Sequence, residues 1–163
     1  MLQISFKKNK IINFPFNVSK EYIYCLSTNK IRMSTKIKYE MEFPIQASPS
    51  LLYQYISTPS GLSEWYADNV NSRGEIFTFI WEGSEEKAKL LSKKSGERIK
   101  LRWLEDEEEG NPYFFEMRIQ VDEITKDVSL MITDHAEDDD EVNEGKMLWE
   151  NMVSDLKHVL GSV

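Results

Sequence analysis

From Ile37 to Ile45 every second position is apolar: Ile37, Tyr39, Met41, Phe43 and Ile45 alternate with Lys38, Glu40 and Glu42. A period of two sends alternate side chains to opposite faces of an extended chain, so this segment predicts a strand with one buried and one solvated face. The strand runs into Ser48-Pro49, where a serine side chain can cap an unpaired helix N–H and proline supplies the φ of a first helical position. Leu51, Leu52, Tyr55 and Ile56 then recur at helical spacing. Thr58-Pro59 repeats the start signal for a second short helix, through Leu62, Trp65 and Tyr66.

Past these helices the period returns to two. Glu75–Glu82 sets Phe77, Phe79 and Trp81 against Ile76, Thr78 and Ile80, and both sets are apolar enough to leave open which faces inward. Glu85–Lys93 predicts a more polar strand around Ala88 and Leu90, entered through a turn at Gly83-Ser84. Lys94-Ser95-Gly96 turns the chain into Glu97–Leu104, where Ile99, Leu101 and Trp103 oppose Arg98, Lys100 and Arg102. After an acidic loop at Glu105–Gly110, the segment Tyr113–Val121 puts Tyr113, Phe115, Met117, Ile119 and Val121 on one side, with Glu116, Arg118 and Gln120 on the other. A hairpin at Asp122–Lys126 leads to Asp127–His135, which alternates Val128, Leu130 and Ile132 with Ser129, Met131 and Thr133. Short connections make these strands, five or six in number, neighbours in an antiparallel meander.

The chain closes on a long helix. Asp138–Glu141 places negative charge near its N-terminus, and Lys157 and His158 lie near its C-terminus before Gly161, as the helix dipole favours. Gly145, Leu148, Trp149, Met152, Leu156, Val159 and Leu160 form one stripe, with Lys146, Glu150, Asn151 and Lys157 elsewhere on the wheel. The expected fold is therefore α+β: a curved antiparallel sheet wrapped around a long C-terminal helix, with two short helices after the first strand.

Composition narrows the class. The chain has 163 residues, 40% hydrophobic and 12% aromatic, which suits one domain with a sizeable core, and no run reaches the ~20 apolar residues of a membrane span. Its one cysteine, Cys25, rules out an intramolecular disulfide framework and a zinc site of several thiolates, and fits a reducing cytoplasm. Residues 1–32 carry six Lys/Arg against Glu21 alone, a charge of +5, so the total of −8 leaves −13 on residues 33–163. A body this acidic repels phosphate backbones and anionic lipid, which argues against nucleic-acid and membrane-surface binding.

The basic leader lacks the uninterrupted apolar h-region of a secretory signal, since Lys, Asn and Ser break every apolar run. Met33-Ser34-Thr35 opens the acidic body as a natural start would. Residues 1–32 are accordingly expected to be a disordered or loosely attached extension, or the product of a mis-assigned start codon, with the domain at 33–163.

Catalytic signals are weak. Asp134 precedes His135 at a strand end, but adjacent strand residues point to opposite faces, so the pair is not expected to cooperate as a general base. His158 is explained by the helix C-terminus. The acidic runs Glu105–Glu109 and Glu137–Glu141 lack the spaced ligands and glycine of a calcium loop and are expected to be solvated or to dock a basic partner. No nucleophile motif, phosphate loop or HExxH occurs, so neither an enzyme, a metal nor a cofactor is expected. Arg102 and Arg118 fall on the outward side, as sheet-surface ion pairs worth little each.

Several segments carry a family resemblance. Ala47-Ser48-Pro49 matches an Ala-x-Pro helix start, Thr58-Pro59-Ser60-Gly61-Leu62-Ser63-Glu64-Trp65 a Thr-Pro-x-x-Leu-x-x-Trp segment, and Val128–His135 a final strand ending in Thr and His. The last helix carries Trp149, Leu156 and Gly161. Over residues 35 to 161 the chain resembles the helix-grip fold of the START-like (SRPBCC, Bet v 1-like) superfamily, in particular its branch related to the activator of Hsp90 ATPase homologue. Where that branch usually opens its helix with Gly-Trp, this chain has Gly145-Lys146, and its acidic loops are heavier. These departures are similar to a divergent group such as the small START-like proteins of Bacteroidota.

The resemblance implies an apolar cavity between sheet and helix. Its candidate lining is Trp65, Tyr66, Phe77, Phe79, Trp81, Leu101, Trp103, Phe115, Met117, Leu130, Trp149, Met152 and Val153. Two functions follow. The first is non-enzymatic binding of a hydrophobic or amphipathic small molecule in that cavity. The second treats the aromatics as ordinary close-packed core and makes the chain a protein-interaction or stress-related, co-chaperone-like module. Neither fixes an oligomeric state.

Overall fold

The computed structural model describes residues 35–162, and the expected extension at 1–32 lies outside them. The elements follow in the order β1 (Ile37–Ile45), α1 (Pro49–Ser57), α2 (Pro59–Leu62), β2 (Asn69–Arg73), β3 (Ile76–Trp81), β4 (Ser84–Lys94), β5 (Arg98–Trp103), α3 (Leu104–Glu108), β6 (Phe115–Val121), β7 (Val128–Ala136) and α4 (Asp139–Leu160). Seven antiparallel strands form one curved sheet in the order β1-β7-β6-β5-β4-β3-β2. The meander from β2 to β7 is joined by turns, apart from the longer β5–β6 connection that holds α3, and β1 pairs on the β7 side, from Ile37 opposite Ala136 to Ile45 opposite Val128.

Local chemistry sets the helix ends. Ser48 Oγ accepts from the Leu51 N–H at 3.2 Å, with Pro49 in the first turn. Thr58 does the same for α2, accepting from the Gly61 N–H at 3.0 Å while donating to the Gln54 carbonyl at 2.7 Å, so one hydroxyl both ends α1 and starts α2. Asp138 caps α4 by accepting from the Glu141 N–H at 2.9 Å. Gly161 ends it in the left-handed region at φ 66°, with the Ser162 N–H donating to the Lys157 carbonyl at 2.8 Å.

The core lies between the inner face of the sheet and α1 and α4, which pack on β5–β6 and β1–β7 respectively. Phe77 and Phe79 are buried and Ile76, Thr78 and Ile80 only partly so, which settles the direction of β3: the Phe77-Phe79-Trp81 side faces inward.

Several expectations need correction. The sheet has a seventh strand, β2, in the segment after Tyr66. The second helix ends at Leu62, and Trp65 and Tyr66 follow in a turn. Glu105–Gly110 is not a solvated loop: its first part is the short helix α3, with Asp106 buried against Lys36 at 3.3 Å. Glu107 accepts from Lys89 at 2.6 Å and Arg102 at 2.8 Å, so three cations tie this acidic turn to the sheet. β6 starts at Phe115. Tyr113 leaves the inward row and packs against the His135 ring, accepting a hydrogen bond from the Lys36 N–H at 3.0 Å. Val159, placed on the buried stripe, is 37% exposed, whereas Val153, outside that stripe, is 1% exposed: the buried face of α4 is centred on Trp149, Met152, Val153 and Leu156, and Val159 lies on its flank.

Candidate functional site

A polar group lies on the inner face where β1, β7 and α4 meet. Tyr39 and Asp134 are direct register partners on β1 and β7, and both lie in phase with inward apolar residues of their strands. Asp134 Oδ2 accepts from the Trp149 indole N–H at 3.0 Å and approaches the Tyr39 hydroxyl at 3.5 Å, while its Oδ1 accepts from the His135 backbone N–H at 2.8 Å. Gly145, one turn before Trp149, leaves room for Tyr39: a Cβ there would lie against the hydroxyl and 3.1 Å from Cζ. Burial raises the Asp134 pKa to about 6, with the Trp149 bond opposing that rise. Burial raises Tyr39 too, aided by the neighbouring Asp134 charge, and keeps both tyrosine and Tyr66 neutral over any ordinary pH range.

Tyr66 sits at the centre of an aromatic cluster. Its ring centroid lies 5.5 Å from Trp65, 5.2 Å from Phe79, 5.8 Å from Trp81, 6.3 Å from Phe115 and 5.6 Å from Trp149. The turn after α2 places it there, and Trp81 fixes the turn by donating its indole N–H to the Tyr66 carbonyl at 2.9 Å. Trp65 is anchored likewise, to the Tyr55 carbonyl at 3.2 Å.

All thirteen expected lining residues lie on the inner face of the sheet, in the turn that covers it or on the buried stripe of α4. They divide into two groups. Phe79, Leu101, Phe115, Met117, Leu130 and Val153 have essentially no exposed surface, and Trp65, Tyr66, Phe77, Trp149 and Met152 have little. Trp81 and Trp103 alone among the thirteen are only half-buried. The polar pair Tyr39 and Asp134 escaped the residue-by-residue reading. Its one available signal was phase, since Asp134 is two residues beyond Ile132 on the inward side of its strand.

The separation of Asp134 from His135 is as alternation requires. His135 points to the outer face, with Nδ1 2.9 Å from the Phe114 carbonyl and its ring against Tyr113 and Phe114. Burial lowers its pKa. On the same face Arg102 holds Glu107 and the Tyr113 carbonyl. A separate cleft of about 350 Å³ lies beside the end of α4, lined by Pro44, Gln46, Ser154, Lys157, His158 and Ser162. Among the described residues no group of three or more His, Cys, Asp or Glu side chains is placed to hold a metal, and no helix is long and apolar enough to cross a membrane.

A family profile described as START-like superfamily domain matches residues 33–162. A Bacteroides fragilis protein, solved by NMR in solution, is 35% identical, with TM-score 0.55 over 76% of this chain and 90% of that one. The Aha1 dimer from Colwellia psychrerythraea shares 18% identity, with TM-score 0.60 over 76% of this chain and 96% of its own. A Cytophaga hutchinsonii protein shares 18%, also with TM-score 0.60, over 77% and 94%. The latter two likenesses show the fold alone. No curated protein matches the chain.

Proposed function

The chain belongs to the START-like superfamily, and from that premise we propose that it is a non-enzymatic binding protein, holding a hydrophobic or amphipathic small molecule between the inner face of the sheet and α4. The observation that carries this reading is the composition of that space. An aromatic cluster around Tyr66 is joined to a small inward polar group, Asp134 with Tyr39 and Trp149. Apolar walls with a few convergent polar groups are what small-molecule sites are made of. The half-buried Trp81 and Trp103 offer the edge at which a ligand would enter. The single cysteine is in keeping with a cytoplasmic site of action.

A second reading has its own support. Six of the thirteen residues are packed to essentially zero exposure, as a filled core would be, and an Aha1 protein is among the structural likenesses. On that reading the chain is a protein-interaction module of co-chaperone type.

One experiment separates them. Native mass spectra of the purified full chain are recorded before and after denaturing extraction. A small molecule that co-purifies, and is lost on Trp103→Leu, supports the binding reading. An unliganded mass, together with no fluorescence response to a panel of lipids and aromatic compounds, transfers the weight to protein interaction.

A further inference from the structure

The outer face of the sheet is basic on an otherwise acidic domain. α1 and α4 pack on the inner side, and α3 packs on β4 and β5, so among the described residues no helix lies over the outer side of β6 and β7. Alternation sends Ile99, Leu101, Met117 and Ile119 inward, where they are buried, and turns Arg98, Lys100 and Arg118 outward. Arg98 and Arg118 are direct register partners. Like charges directly opposite one another destabilise a strand pair, so this juxtaposition calls for an anion.

The carboxylates already present do not meet that demand. Glu116, the register partner of Lys100, is shared between two cations: Arg98 Nη1 lies 3.5 Å and Lys100 Nζ 3.8 Å from its Oε2. Both separations are long for a charge-assisted hydrogen bond, and neither that buried oxygen nor the buried Arg98 Nε has a hydrogen-bond partner. Arg118 makes no ion pair or hydrogen bond among the described residues, contrary to the sheet-surface ion pair expected of it. Glu40 and Glu97 feel its charge, but each already holds a lysine, Lys38 at 2.7 Å and Lys94. Five cations thus stand against three carboxylates here, in a domain that carries −13 over residues 33–163.

Two neighbouring guanidiniums offer the planar N–H forks that carboxylates and phosphates accept. The acidic turn of α3 borders this face beside β5, so a nucleic-acid backbone running across it would meet carboxylates. A short acidic peptide need touch only the arginines. We propose that the outer face of β5, β6 and β7, centred on Arg98 and Arg118, docks a short acidic segment of a partner protein, with a carboxylate of that segment between the two guanidiniums. This goes beyond the small-molecule reading, lies on the opposite side of the sheet, and stands whether or not the inner space holds a ligand.

The test titrates the full chain into a labelled ten-residue peptide of alternating Glu and Asp, following fluorescence anisotropy. Saturable binding is expected at low salt, weakening at least tenfold as NaCl is raised to ~0.3 M. An acidic domain without such a face would repel this probe. Arg118→Gln should weaken binding about tenfold, and Arg118→Lys, which keeps the charge, should recover part of the loss. Because Arg118 has no partner to lose, neither variant should disturb the fold. Lys146→Gln, on α4, should change nothing, which separates this face from the charge of the whole surface. Absence of peptide binding overturns the inference, as does binding that survives Arg118→Gln. Equal or tighter binding of a ten-nucleotide oligo-dT overturns it in favour of a phosphate site. Self-association that Arg118→Gln abolishes, without peptide binding, overturns it in favour of a second copy of the chain.

Discussion

The Trp149 indole N–H donates to Asp134 Oδ2 at 3.0 Å, joining the middle of α4 to the end of β7 by a polar bond beside the aromatic cluster. This bond gives the fold a pH dependence with a definite sign. Burial lifts the Asp134 pKa from 3.8 to about 6, so the native state holds this proton more tightly than the unfolded chain. The contribution to stability is fully present below about pH 4, declines as pH rises, and levels off above about pH 6. A shift of this size corresponds to at most ~3 kcal/mol, an upper bound because Asp134 keeps some accessible surface. Asp134→Asn removes the titration while retaining an acceptor. Relative to the parent chain, this variant should gain up to ~3 kcal/mol between pH 4 and pH 7 in urea unfolding. A difference between the two proteins that is the same at both pH values would falsify the assignment.

Removing the donor should act in the opposite sense. Trp149→Phe leaves the carboxylate without the bond that favours its charged form, so its pKa should climb further above 6. Loss of indole packing costs the same at every pH. Loss of a hydrogen bond to a charged acceptor costs ~1.5–3 kcal/mol, against about 1 kcal/mol for a neutral one. The destabilisation measured at pH 7 should thus exceed that at pH 4 by about 1 kcal/mol. The Asp134→Asn background should abolish that excess.

The parts of the fold that the sequence made legible are those where periodicity and capping agree. β1, β5 and β7 have uninterrupted alternation, and Ser48-Pro49, Thr58-Pro59 and Gly161 mark helix ends that the hydrogen bonds bear out. β2 was not legible because Asn69–Arg73 has one apolar residue, Val70, and is a strand only by pairing with β3 at the sheet edge. α3 was not legible because five residues, four of them acidic, have no helical stripe; cations from β4, β5 and Lys36 hold it. For the candidate site, phase gave the inward direction of Asp134. Its partnership with Tyr39, 95 residues away, depends on which strand closes the sheet, and no local pattern encodes that.

Gly145 provides a test of the packing around the same carboxylate. In an isolated helix Gly→Ala gains up to ~1 kcal/mol. Here the added methyl would press on the Tyr39 ring, 3.1 Å from Cζ and closer still to the hydroxyl. Overpacking of this kind costs ~1–3 kcal/mol, so Gly145→Ala should be net destabilising. The contact is with the end of one side chain. Tyr39→Phe in the same chain should therefore recover much of the loss, which a double-mutant cycle would read as favourable coupling. Two simply additive losses would sink this explanation of the glycine.

Gly61 presents the contrasting case. A Cβ at this position would meet backbone, lying 2.6 Å from the Tyr55 Cα and against the Gln54 carbonyl oxygen, as well as 2.9 Å from Thr58 Oγ1. Those atoms belong to the last turn of α1 and to the hydroxyl that caps α2, so no neighbouring side chain can be trimmed to make space. Gly61→Ala must therefore push the two short helices apart. The displacement would also disturb Trp65, which is anchored on the Tyr55 carbonyl, and Tyr66 at the centre of the aromatic cluster. The expected result is a loss of at least ~2 kcal/mol that no second substitution nearby restores, together with a red shift and weakening of tryptophan emission as the cluster loosens. Thr58→Ala, which removes the cap and the bond to the Gln54 carbonyl but leaves the helix spacing intact, should cost about 1 kcal/mol and leave the emission spectrum unchanged. Should Gly61→Ala prove as mild as Thr58→Ala, the close approach of α1 and α2 is not what that glycine is for.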